Sequence, residues 1–135
     1  ARGERWTADA CLPGGDLYGT EPCKRAVLEF DGFVQTLQQR YTWLPPALVA
    51  RYARAYGTRT ELLLDGRTCI ADMGDEVTSG LYEAEIDYLV EHEWARTAAD
   101  ILWRRTKLGL RAAPGAEAAL DARLAQRGTR RRTQA

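Results

Sequence analysis

Apolar residues recur with a helical period along most of the chain. Phe30, Phe33, Val34, Leu37 and Tyr41 fall on one face of a 3.6-residue period, which predicts a helix there with Asp31 as its N-cap. Leu48, Tyr52 and Tyr56 recur every fourth residue after the Pro45-Pro46 pair. Proline suits a first helical turn and glycine suits the position after a last one, so a second helix is expected to start near Pro46 and stop at Gly57. Thr58 and Glu61 have capping-box spacing ahead of Leu62, Leu63 and Leu64, and that short helix should end at Asp65-Gly66. The stretch 66–80 has no clear period and reads as a loop. Tyr82, Ile86, Leu89 and Val90 predict a further helix, with a short strand at Leu81 as the alternative for its start. Thr97 and Asp100 form a second capping-box pair, opening a helix through Ile101, Leu102 and Leu108 with Gly109 as its stop. Pro114 leads into a last helix carrying Ala118 or Ala119, Leu120 and Leu124.

The ends lack this order. Residues 1–26, with the turn sequence LPGGD at Leu12–Asp16 and a second proline at Pro22, read as an extended linker. The last residues, GTRRRTQA (128–135), read as a basic, disordered tail. The expected architecture is all-α: a compact bundle of five to six helices over 27–127, with the extended N-terminal segment before it and the tail after it. No internal repeat is found.

Composition narrows the function classes. The chain has 135 residues, 45% of them hydrophobic and 28% charged, with 19 basic and 19 acidic side chains. That suits a single domain, and balanced charge argues against a dedicated nucleic-acid binder. No apolar run approaches the roughly 18–20 residues that span a bilayer. Cys11, Cys23 and Cys69 are odd in number and show no CxxC spacing, so free thiols are expected rather than a metal site or a disulfide framework. The chain opens with ARGERW, and Met73 is its single methionine; this predicts a piece of a longer protein.

The densest candidate chemistry lies in EHEWARTAADILWRRTKLGL, Glu91–Leu110. Glu91, His92 and Glu93 are consecutive, so on a helix they point about 100° apart and cannot converge on one ion. HExxH is absent, and His92 is expected to be a surface or capping histidine rather than a catalytic base. Trp94 and Trp103 could stack on a ligand, but large aromatics at helical spacing more often build a core or an interface. Arg104, Arg105 and Lys107 could clamp a phosphate; the plainer reading is a basic helix end complementing the dipole. Arg130, Arg131 and Arg132 could meet anionic lipid or nucleic acid, and a solubilising role is the simpler one. Residues 81–94 hold five acids and no Lys or Arg, whereas 96–111 hold five bases and one acid, which predicts that the two segments are neighbours. GxGxxG after a strand, GxxxxGKS and GxSxG are all absent. No catalytic, cofactor-binding or metal-ligating residue is therefore assigned.

LPGGD, RYARAYGTRTELLL (Arg51–Leu64) and LYEAEIDYLVEHEWARTAADILWRRTKLGL (Leu81–Leu110) together resemble, in collinear order from about Trp6 to Leu124, the C-terminal domain of aerobic FAD-dependent glycerol-3-phosphate dehydrogenases. The resemblance implies a parent flavoprotein that oxidises sn-glycerol 3-phosphate to dihydroxyacetone phosphate. It also implies that electrons pass to quinone, from a cytoplasmic position peripheral to the inner face of a bacterial membrane. FAD and substrate would sit on N-terminal domains that this sequence lacks. The chain itself is then expected to be structural and inactive alone, packing on those domains through Trp94, Trp103, Arg104, Arg105, Thr106 and Lys107. Self-association into a homo-oligomer is left open. The alternative is a helical binding module that contacts a protein partner or an anionic membrane surface; a phosphate-clamping enzyme is the remotest reading.

Overall fold

The computed structural model describes residues 6–7, 10–18, 25–78 and 80–133, with backbone alone at 25–26 and 128–133. Cys23 lies outside these residues. The chain divides into two units, Ala1–Gly66 and Arg67–Ala135.

The first unit is helical. A short helix α1 (Arg25–Leu28) precedes α2 (Phe30–Arg40), which packs on α3 (Pro46–Tyr56). Both long helices form because their apolar residues share a stripe. In α2 the stripe buries Val34 and Leu37, and Tyr41 just beyond; Phe30 and Phe33 are only half-buried. In α3 it buries Leu48, Val49, Tyr52, Ala53 and Tyr56. Each such large side chain contributes about 1.5–3 kcal/mol of transfer free energy. Asp31 is not the N-cap of α2: that position is Glu29, without a side-chain bond, and Asp31 sits in the first turn where its charge complements the dipole. Gly57 ends α3 at φ 56°, as its place in the sequence predicts.

The Thr58–Glu61 capping box is not made. A tight turn at Gly57–Arg59 leads into α4 (Thr60–Leu64), the Thr58 hydroxyl donates to Asp16, and Glu61 pairs with Arg40. Both partners are drawn away by groups distant in sequence. The LPGGD loop lies over the end of α3, where Thr58 N–H donates to the Gly14 carbonyl at 3.2 Å. The approach is so close that a Cβ on Gly57 would stand 1.8 Å from that carbonyl oxygen.

The second unit is mainly helical with one small hairpin. The stretch expected as a loop holds a tight turn at Ile70–Met73 and the strand β1 (Glu76–Thr78). β1 pairs antiparallel with β2 (Leu81–Tyr82), with Glu76 opposite Tyr82 and Thr78 opposite Leu81. The pattern around 66–80 hides this strand because it is only three residues long and its register is irregular. β2 runs directly into α5 (Glu83–His92), which buries Ala84, Glu85, Ile86, Tyr88 and Leu89. A π turn (Asp100–Arg105) and a tight turn (Leu108–Leu110) follow. The final helix α6 (Ala116–Thr133) packs on β1. Its backbone is helical through 128–133.

α5 and the π turn are neighbours, as the charge pattern predicts. Two α5 acids nevertheless find partners on α6. Arg123 reaches both Glu83 and Asp75, and Arg127 pairs with Asp87 at 3.1 Å.

Candidate interdomain surface

The segment from Glu93 to Leu110 is built from its turns. At the end of α5, Glu93 N–H and Ala95 N–H both donate to the Leu89 carbonyl, at 3.1 and 3.0 Å. Between them Trp94 adopts φ 54°, the left-handed conformation that glycine usually supplies after a helix. The turn sends Ala95 inward, 2% exposed, and leaves Trp94 78% exposed.

Thr97 then caps the next turn. Its hydroxyl accepts from Asp100 N–H at 3.2 Å, and the Asp100 carboxylate accepts from Arg96 N–H and Thr97 N–H, both at 3.1 Å. This is the reciprocal box that the spacing predicts. Asp100 also takes Arg104 as an ion-pair partner at 2.5 Å. These donors, the Arg96 N–H first and Arg104 next, hold the Asp100 carboxyl well below the usual carboxylate range. Asp121 on α6 adds a third tie by accepting from Ala98 N–H at 2.8 Å, which the sequence did not reveal.

From Asp100 the backbone widens into the π turn. Ile101 and Leu102 are buried, whereas Trp103, Arg104 and Arg105 face solvent. Thr106 closes the turn: its N–H and its hydroxyl both donate to the Ile101 carbonyl, at 3.0 and 2.7 Å. Its hydroxyl in turn accepts from Leu108 N–H at 3.2 Å. Lys107 takes φ 59° and donates its Nζ to the Trp103 carbonyl at 2.5 Å. The Trp103 ring lies against Gly109, where a Cβ would stand 2.6 Å from Cε2. Gly109 is thus more than a helix stop; it makes room for an indole six residues earlier. Leu110 is likewise 78% exposed and went unremarked in the sequence.

Of the six residues read as contacts, Trp94, Trp103, Arg104, Arg105 and Lys107 are exposed on this segment. Thr106 is half-buried and spends its hydroxyl inside the turn. Arg104 and Lys107 already have partners within the segment, so they are poorly placed to grip a phosphate. His92 is exposed and lies 5.1 Å, ring to ring, from Tyr88. Cys11 and Cys69 are free thiols.

A second feature of this unit is a polar cleft of about 400 Å³ lined by Asp75, Glu83, Arg123, Gln126 and Arg127. Its arginines are committed to Asp75, Glu83 and Asp87. Burial pushes the Asp87 carboxyl up, and Arg127 partly offsets this. Among the described residues, the junction of β2 with α5 is not a dinucleotide cradle. A pyrophosphate needs a glycine-rich strand-to-helix turn and an unopposed helix N-terminus. Here β2 enters α5 with no intervening loop, and Glu83 in the first turn of α5 is paired with Arg123. No described helix is long and apolar enough to cross a membrane.

Comparison with known proteins matches residues 6–126 to a family described as the C-terminal domain of alpha-glycerophosphate oxidase. A glycerol-3-phosphate dehydrogenase of Pseudomonas aeruginosa is 45% identical over 118 residues, covering 87% of this chain and 21% of that protein. The aerobic glycerol-3-phosphate dehydrogenase of Escherichia coli is 42% identical over 108 residues, or 80% of this chain and 20% of that one. A D-erythritol 1-phosphate dehydrogenase of Brucella abortus is 42% identical over 105 residues, 78% of this chain and 19% of that protein. The chain spans about one fifth of the length of these curated relatives.

Proposed function

The chain belongs to the family of the C-terminal domain of alpha-glycerophosphate oxidase, and on that footing we propose that it is the helical, non-catalytic lobe of an FAD-dependent dehydrogenase acting on sn-glycerol 3-phosphate. The parent would oxidise this substrate to dihydroxyacetone phosphate and pass electrons to quinone from the inner face of a bacterial membrane. FAD and substrate would lie on the preceding domains, and this chain would pack against them through the Trp94–Leu110 segment. The observation that carries the reading is the match of residues 6–126 to a domain described as C-terminal, in a chain that covers about one fifth of its dehydrogenase relatives.

The name of the Brucella relative favours a second substrate. A chain equally similar to glycerol-3-phosphate and D-erythritol 1-phosphate dehydrogenases does not choose between them, so substrate selection belongs to the preceding part. The test is to purify the parent and this chain separately and assay dye reduction with each polyol phosphate. The parent is expected to show a flavin band and turnover with glycerol 3-phosphate, and this chain neither. A flavin band or turnover from this chain alone would overturn the proposal, and turnover of the parent with the erythritol ester only would correct the substrate.

A further inference from the structure

Trp94 combines two features that a free surface selects against. It is a bulky residue in the left-handed region, where only glycine, asparagine and aspartate are at ease. It also leaves most of an indole in water, at 78% exposed, while its neighbour Ala95 is buried. Glycine at this position would end α5 with the same two bonds to the Leu89 carbonyl and no strain. Strained residues persist where something else requires them, and the turn itself would be served by glycine. Lys107, the other non-glycine residue at positive φ among those described, differs because its own side chain bonds back to Trp103.

We propose that Trp94 is the anchor of the interdomain contact: an indole held out by the left-handed turn to fill an apolar recess on the preceding domains of the same polypeptide. This rests on the reading that the segment packs on those domains, and it names the residue that carries the contact. The occupant follows from the relatives. About four fifths of each lies outside the matched region, and the matched family is a C-terminal domain, so the partner present at fixed concentration is the chain ahead of it. Desolvated tryptophans carry much of the energy of such contacts.

The experiment uses the full-length parent. Hydroxyl-radical footprinting is read by mass spectrometry at Trp94, Trp103 and Leu110, and thermal melting is compared for the unsubstituted parent, Trp94→Gly and Trp94→Phe. The expected result is slow labelling of Trp94, a melting temperature lowered by a few degrees in Trp94→Gly, and partial recovery in Trp94→Phe. A purely local role predicts the reverse for Trp94→Gly, since relief of the strained backbone leaves stability unchanged or higher. Rapid labelling of Trp94 beside protected Trp103 and Leu110 would overturn the anchor while leaving the interdomain reading intact. Rapid labelling at all three would overturn both.

Discussion

Gly57 and Gly66 separate backbone strain from steric collision. Both have positive φ, 56° and 69°, but a Cβ on Gly66 meets open space, whereas one on Gly57 collides with the Gly14 carbonyl. Gly66→Ala should therefore cost about 1 kcal/mol, the penalty of a left-handed alanine alone. Gly57→Ala should cost at least about 2 kcal/mol, because it also breaks the Thr58-to-Gly14 bond. Urea denaturation midpoints of the two variants measure the difference. Asp100 makes a pH prediction with a definite sign. Its folded pKa lies below the unfolded carboxylate value of about 3.9, so its stabilisation is complete at neutral pH and begins to fade below about pH 4. It is lost as pH falls further through the folded value. Asp100→Asn cannot titrate, and its melting temperature should fall less steeply between neutral and acid pH than that of the unsubstituted chain.

The sequence pattern found the longer helices because each carries its own apolar stripe. α2, α3 and α5 sit where Leu37, Tyr52 and Ile86 and their neighbours predict, and Gly57 ends α3 as expected. The Thr97–Asp100 box was legible because both its partners lie within one turn. The Thr58–Glu61 pair has the same spacing and failed because Asp16 and Arg40, distant in sequence, outcompete the local bonds. β1 escaped notice for a related reason, since a three-residue strand is defined by its partner and not by its own period. The ion pairs that join α5 to α6 likewise come from Arg123 and Arg127, whose targets no local rule reveals. Arg123→Met should lower stability by about 1 kcal/mol or less, since its partners are part-exposed, and the loss should shrink in high salt. Thermal melts at low and high ionic strength test this.

At the scale of the molecule, the all-helical expectation is met among the described residues except for the small hairpin, and the family resemblance is met over residues 6–126. The proposed contact surface was only partly visible beforehand. Trp94 and Trp103 were marked by their chemistry, but Leu110 and the left-handed turn required coordinates. Thr106 was grouped with them by adjacency, yet its hydroxyl is spent on the Ile101 carbonyl. The packing of Trp103 on Gly109 has a consequence for any partner that covers it. The indole already rests against the Gly109 backbone, so docking has less of its freedom to remove. An unrestrained ring would forfeit roughly 0.5–1.5 kcal/mol of rotational freedom on burial. A larger residue in place of Gly109 would release that ring, and the penalty would surface in recognition and not only in folding.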